Sequence, residues 1–168
     1  MIQTRKLPEF YQRYIDKVGD EDLIPALMIN GDKTLELIRS IDEEKGNYAY
    51  ASGKWTIKEV IAHIIDSERI FAYRALRFSR NDQTPLPGFN EDNYVAESNA
   101  KNRKVFKLAE EFANLRASTV DLFSSFTHDM LKRSGAANEL EKSVEVLGYI
   151  IVGHEIHHRQ ILSERYLS

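Results

Sequence analysis

A segment near the C-terminal end carries three histidines inside an apolar run of helical spacing, GYIIVGHEIHHRQIL, residues 148–162. In a helix that turns about 100° per residue, His154 lies at the centre of the apolar face and His158 roughly 40° from it. His157 lies at the edge of that face. Two inward-facing imidazoles need polar partners, because an unpaired polar group is costly to bury. The spacing of four residues lets both rings share one metal ion. The alternative for each ring is a hydrogen-bonded histidine of the core.

The rest of the chain has three further segments of helical periodicity and no convincing strand alternation. The four predicted helices cover approximately residues 22–44, 56–79, 100–126 and 143 to almost the end. Thr56 and Glu59 form the capping-box pattern at the start of the second, and Ser143 is the predicted cap of the fourth. We therefore predict an all-α four-helix bundle, one domain over residues 1–168, connected most simply up-down-up-down or with one crossover.

Composition and charge exclude several classes of protein. The chain has no cysteine, so disulfides, cysteine-ligated zinc and a cysteine nucleophile are absent. A formal net charge of −3 argues against nucleic acid as a partner. No apolar run approaches the roughly 20 residues that cross a bilayer, and no signal-peptide pattern is visible. We expect a cytoplasmic protein that contacts neither nucleic acid nor membrane.

Two connections separate the last three helices. The first, residues 80–98, contains two prolines and a glycine that forbid a continuous helix. It is long for a compact bundle, and such loops are often functional. Its side chains Phe89, Asn93 and Tyr94 are candidates for substrate binding if the loop packs over the open end of a site. The second connection, residues 127–143, is polar.

A third metal ligand would have to come from outside the fourth helix. The two remaining histidines are His63 and His128. His128 lies in a polar stretch and is predicted to be a surface residue. His63 lies at the edge of the apolar face of the second helix, so it is the better candidate.

Polar residues accompany His63 along its helix. Glu59 and Asp66 are candidate catalytic helpers, which would orient a ligand or accept a proton beside an ion. The alternative is a set of surface ion pairs, such as that between Asp66 and Arg69. Arg74 is a candidate for binding a substrate carboxylate, or else a salt-bridge partner of Asp66 or Glu59.

The letters HEIHH also match H-E-x-x-H, in which Glu155 would be the general base of a zinc protease. The extended form of that motif needs glycine and histidine where the chain has Ile161 and Glu164. Glu155 also projects about 100° away from His154. The pattern Glu-x-x-His is typical of di-iron bundles, but that class needs it twice and there is no second copy. Neither interpretation holds.

Three stretches together resemble the DinB/YfiT-like superfamily: WTIKEVIAHIIDSERIFAYRALR, TPLPGFNEDNYV and IIVGHEIHHRQIL, at residues 55–77, 84–95 and 150–162. The resemblance implies a four-helix-bundle protein that binds one divalent ion, often nickel or zinc, through three histidines. Its ligand positions fall on His63, His154 and His158. None of the family's ligand positions falls on His157.

The resemblance also implies the kind of activity. Characterised relatives include S-transferases that use bacillithiol and an isomerase that uses mycothiol, while others are called metal-dependent hydrolases. We expect an enzyme that transfers a low-molecular-weight thiol to a small electrophile, with the thiol supplied as a cosubstrate because the chain has no cysteine. The alternatives are a metal-dependent hydrolase and a non-catalytic metal-binding stress or interaction protein. Relatives are frequently dimers, so a homodimer is expected.

Overall fold

The computed structural model describes residues 7–168. Within this range seven α-helices and one two-stranded hairpin are found. In chain order they are α1 Glu9–Asp16, α2 Leu23–Arg39, α3 Ile57–Ser79, α4 Glu91–Glu97, α5 Val105–Ser124, α6 His128–Lys132, β1 Ser134–Ala137, β2 Leu140–Ser143 and α7 Val144–Ile161. Short 3₁₀ turns occur at Glu43–Asn47 and Ala100–Asn102, and a π-helical turn, Leu162–Tyr166, continues α7.

The long helices α2, α3, α5 and α7 form a four-helix bundle. The adjacent pairs are α3 with α7, α7 with α2, α2 with α5, and α5 with α3. The consecutive helices α2 and α3 therefore lie diagonally across the bundle, as do α5 and α7. In the simplest up-down-up-down bundle each helix packs beside the preceding one, so that predicted connection is wrong, although the fold class is confirmed.

The helix that carries His63 begins at the predicted capping box. The Thr56 hydroxyl accepts a hydrogen bond from the Glu59 backbone N–H at 3.3 Å. The Glu59 carboxylate in turn accepts one from the Thr56 backbone N–H at 2.8 Å. The predicted cap of α7 is present as well, since the Ser143 hydroxyl accepts from the Val146 N–H at 3.2 Å. These caps fix where both histidine-bearing helices start.

Three short helices and a two-stranded hairpin were not predicted from the sequence. Helix α1 has eight residues, too few to be stable alone, and is held by burying Tyr11 and Ile15. Helices α4 and α6 lie in the two connections, which were predicted to be irregular. The strands pair antiparallel although SGAA and LEKS lack apolar alternation. Their turn residues Asn138 and Glu139 both have positive φ, 52° and 61°, the conformation of a two-residue hairpin turn.

Two predicted helices are shorter than expected. Helix α2 ends at Arg39, well before residue 44, and α5 starts at Val105, after the 3₁₀ turn Ala100–Asn102. Within α2, Asn30 and Gly31 do not interrupt the helix. Gly31 instead makes room for Arg116, whose side-chain atoms would lie 2.8 Å from a Cβ at that position. None of the helices in residues 7–168 is both long and apolar enough to cross a membrane.

Candidate metal centre

The three predicted ligand histidines meet where α3 packs against α7. His63 comes from α3, and His154 and His158 come from successive turns of α7. The Nε2 atoms of His63 and His154 are 3.0 Å apart. One ring nitrogen from each of the three histidines lies within 4.8 Å of the others. Residues about ninety positions apart in sequence thus form one cluster.

This cluster fits a single divalent ion. Nitrogens that share a tetrahedral zinc ion lie about 3.3 Å apart, because each Zn–N bond is about 2.0–2.1 Å long. The separation of 3.0 Å between His63 and His154 is close to that spacing. The widest separation, 4.8 Å, exceeds it by about 1.5 Å, which small side-chain rotations can close. Among the described residues, no other trio of His, Asp or Glu side chains is arranged in this way.

Burial keeps the three imidazoles neutral. His63 and His154 are 4% and 6% exposed, and His158 is partly exposed as a residue while its imidazole belongs to the buried group. Burial lowers the pKa of His63 to about 4, and lowers the pKa of His154 and His158 well below the usual value. Neutral rings have a free lone pair, which is the form that binds a metal.

A hydrogen bond between imidazoles is the alternative to an ion. Such a bond between His63 and His154, at 3.0 Å, would satisfy two rings. It would leave out His158, which forms no hydrogen bond or ion pair with any residue from 7 to 168. The donor set therefore favours an ion over a hydrogen-bonded pair.

Aromatic side chains surround the centre. Trp55 packs on His63 with ring centroids 4.8 Å apart. Tyr14 of α1 packs edge-on against His154 at 5.4 Å, and Phe71 lies 6.3 Å from the same ring. These apolar surfaces remove water from around the imidazoles, which is the physical cause of their lowered pKa values.

The other histidines lie outside the cluster. His157 is half-buried against Tyr14, with ring centroids 5.5 Å apart, and burial lowers its pKa. His128 is exposed at the start of α6.

Glu155 points away from the three histidines, into the interior of the bundle. It is 1% exposed, and its carboxylate lies 2.6 Å from Nη2 of Arg116 and 3.5 Å from Nη1 of Arg159. Arg116 also binds both carboxylate oxygens of Glu68, at 2.9 and 2.8 Å. Glu155 therefore belongs to a buried ion-pair network that ties α3, α5 and α7 together. This location agrees with the exclusion of the zinc-protease motif.

The two predicted helpers have other partners. The carboxylate of Glu59 accepts hydrogen bonds from Thr56 and lies 3.3 Å from Nζ of Lys101. Asp66 lies 3.3 Å from Nη1 of Arg69, the surface pair that was the alternative explanation. Glu59 thus stabilises the turn of α3 that precedes His63.

Arg74 is buried without a carboxylate partner among the described residues. It is 3% exposed, and its Nη2 donates to the backbone oxygen of Pro87 at 2.8 Å. Its guanidinium also lies over the rings of Phe71 and Phe89, at 5.7 and 6.0 Å. Neither Asp66 nor Glu59 pairs with it. Arg74 therefore anchors the loop between α3 and α4.

The loop residues predicted to line a pocket lie around α4. Phe89 packs against Tyr94 with ring centroids 5.0 Å apart, and Tyr94 is 48% exposed. The backbone N–H of Asn93 donates to the side chain of Asn90, the cap of α4, at 2.9 Å. None of the three predicted loop residues has a hydrogen bond or ring contact with a histidine of the cluster in the part of the chain described.

Two residues that sequence reasoning did not assign to the site lie next to it. Trp55 covers His63, and the negative charge of Asp92 on α4 partly offsets the effect of burial on the pKa of His63. Both line a pocket of about 400 Å³ at the first turn of α3. Asn90 as a helix cap, followed by the acidic residues Glu91 and Asp92, was a signal that could have placed Asp92 in the first turn of a helix.

Comparisons with known proteins agree with this geometry. The sequence model of the DinB superfamily matches residues 26–162, which include all three clustered histidines. A protein of Oceanobacillus iheyensis named putative metal-dependent hydrolase is 23% identical over 126 residues, covering 73% of this chain and 71% of that protein.

Two solved structures share the fold. YfiT from Bacillus subtilis, described as a probable metal-dependent hydrolase with an unusual four-helix bundle topology, superposes with a TM-score of 0.73 at 16% identity. The match covers 96% of this chain and 89% of YfiT. The mycothiol-dependent maleylpyruvate isomerase superposes with a TM-score of 0.68 at 12% identity, and the match covers 86% of this chain but 61% of the isomerase.

Proposed function

The chain belongs to the DinB superfamily, and we propose that it is a divalent-metal-dependent enzyme that transfers a low-molecular-weight thiol to a small electrophilic substrate. The observation that carries the metal dependence is the cluster of His63, His154 and His158, whose ring nitrogens lie within 4.8 Å of one another. Nickel or zinc is the ion that the family resemblance implies, and imidazole ligands suit both.

Three protein ligands are typical of a catalytic site rather than a structural one, because they leave positions open. An ion so held is a Lewis acid that lowers the pKa of a water or a thiol at an open position. The protein contributes neutral imidazoles in a water-poor environment beneath Trp55, Tyr14 and Phe71. Glu59 fixes the start of α3, so that His63 faces α7 one turn later.

Thiol transfer is supported by the fold shared with a mycothiol-dependent isomerase. The sequence has no cysteine, so in this reaction the sulfur nucleophile would come from a cosubstrate. Metal-dependent hydrolysis is the second candidate. It is supported by the names of the Oceanobacillus relative and of YfiT. The two reactions differ in whether the thiol or a water attacks the substrate.

Thiol consumption tests the proposal. Metal-loaded protein is mixed with bacillithiol and a chloro-dinitrobenzene, and loss of free thiol is followed with time. We expect the wild type to exceed the uncatalysed rate, His158→Ala to fall to it, and His157→Ala, a neighbouring histidine outside the cluster, to keep activity. No acceleration with any thiol, together with metal-dependent cleavage of an ester panel, would instead support hydrolysis.

Removing the ion with a chelator distinguishes the two enzyme hypotheses from the hypothesis of a non-catalytic metal-binding protein. A catalytic ion leaves the fold intact when it is removed, because the apolar core holds the bundle together without it, whereas a structural ion supplies folding free energy. We expect helical circular dichroism to persist after chelation while thiol consumption stops. Loss of helical signal on chelation would favour the structural role.

A further inference from the structure

A pocket of about 400 Å³ is lined by Trp55 and lies between the first turn of α3, helix α4 and the 3₁₀ turn Ala100–Asn102. Its size is within the range of small-molecule sites. No histidine of the cluster lines it directly. Trp55 connects the two, because its ring packs on His63 with centroids 4.8 Å apart. A larger groove along α1 and the hairpin touches neither Trp55 nor the cluster.

The charged side chains that line this pocket carry a net negative charge. Glu59 and Lys101 line it and lie 3.3 Å apart, so they compensate one another. Asp92 also lines it, and within residues 7–168 its carboxylate has no ion pair and accepts no hydrogen bond. The lining of the pocket therefore includes one unpaired negative charge, that of Asp92, and the indole of Trp55.

A carboxylate and an indole that line the same pocket can together bind an ammonium group. The carboxylate gives a charge-assisted hydrogen bond, and the ring gives a cation–π contact. The remaining walls include the apolar side chains of Val95, Ala96 and Ala100, which suit a short aliphatic segment. An anionic ligand would instead meet the repulsion of Asp92.

We propose that this pocket binds the ammonium-bearing end of the substrate or cosubstrate, with Asp92 as the partner of the ammonium and Trp55 as its aromatic wall. For the thiol cosubstrate this means an aminothiol rather than a neutral or acidic thiol. The chemical class of the thiol rests on the proposed function, whereas the preference for ammonium rests on the pocket alone.

Trp55 is the single tryptophan of the chain, so its fluorescence reports occupation of the pocket. The probes are cysteamine, mercaptoethanol and mercaptopropionate, which share a thiol and differ in the charge of the other end. Each is titrated near neutral pH into wild type, Asp92→Asn and Glu97→Gln. Glu97 is the matched control, since it is an exposed acid of the same helix that does not line the pocket.

We expect the wild type to bind cysteamine most tightly and mercaptopropionate least. Asp92→Asn should weaken cysteamine about tenfold, the cost of one charge-assisted contact, and leave mercaptoethanol unchanged. Glu97→Gln should change neither. The proposal is overturned by equal binding of the three probes, by equal effects of the two substitutions, or by the absence of saturable cysteamine binding.

The same titrations on chelated protein distinguish this inference from the proposed function. The charge of Asp92 acts on His63, so an ion held there would weaken the ammonium contact, and the ratio of cysteamine to mercaptoethanol affinity should be at least as large without metal. Failure of thiol turnover with this ratio intact would overturn the transferase and retain the pocket. Thiol turnover without any preference for cysteamine would retain the transferase and overturn the ammonium-binding pocket.

Discussion

Single side chains explain why this apolar interior tolerates three imidazoles. Each ring is neutral because burial disfavours its charged form, and His63 and His154 are close enough to share one partner. The same burial forces Glu155 to pair with Arg116, since an isolated carboxylate would be far more costly. Adjacent residues of α7 thus serve two different sites, a metal centre and an ion-pair network.

The metal-free protein should lose stability as pH falls from about 7 toward 4. The folded pKa of His63 is about 4, while the unfolded chain takes up a proton near 6.5, so the unfolded state binds more protons in this window. His154 and His158 act in the same direction. The free energy of unfolding therefore rises with pH, by up to about 1.4 kcal/mol per pH unit for each histidine.

Urea unfolding of chelated protein at several pH values measures this slope. His63→Gln should reduce it, and His128→Gln, at an exposed position outside the cluster, is the control for losing a histidine. Identical slopes for wild type and His63→Gln would contradict the burial of a neutral ring.

Replacing Glu155 by glutamine should destabilise the protein without releasing metal. The change leaves Arg116 paired with the carboxylate of Glu68 alone, and losing one hydrogen bond to a charged group costs about 1.5–3 kcal/mol. Urea unfolding and metal content are measured on the same sample. Unchanged stability combined with lost activity would mean that Glu155 acts at the ion.

The sequence predicted the donor atoms of the site better than its surroundings. Helical spacing is enough to place His154 and His158 on one face. That Arg74 has no acidic partner among residues 7–168, and that the charge of Asp92 acts on His63, were not predictable, because both depend on how the loop and α4 pack onto α3. Spacing within one helix carries no information about such contacts.

Among the secondary-structure elements, α1 packs unusually close to α7, next to the histidine cluster. A Cβ at Gly153 would lie 1.9 Å from the backbone oxygen of Tyr14. Only glycine allows this contact, which brings the Tyr14 ring to 5.4 Å from His154. The first helix was absent from the prediction because its eight residues derive their stability from this packing.

Gly153→Ala should displace α1 and destabilise the protein by about 1–3 kcal/mol, since backbone atoms cannot move aside as side chains do. Gly148→Ala on the same helix is the matched control. Its Cβ would meet side-chain atoms of Leu23 and Phe123 at 2.7 and 2.8 Å, which can shift. Urea unfolding compares the two variants. Gly153→Ala at least as stable as Gly148→Ala would contradict the close approach.

At the scale of the whole molecule, the connection of the bundle decides which helices can share an ion. Diagonal placement of α2 and α3 leaves α3 beside α7, and this contact brings His63 to His154 and His158. Periodicity predicted the four long helices and their class of fold. It could not predict their neighbours, because the amphipathic faces do not specify which helix covers which. The hairpin was missed for a related reason, since small residues in SGAA give no alternation.

Metal content of untagged protein shows whether the three clustered histidines hold an ion. Elemental analysis is applied to wild type, His63→Ala, His154→Ala and the control His157→Ala after loading with zinc or nickel. We expect close to one ion per chain in wild type and His157→Ala, and loss of the ion in both cluster variants, which carry substitutions on different helices. A folded wild-type protein that retains no ion after loading would contradict this expectation and return the three histidines to the core.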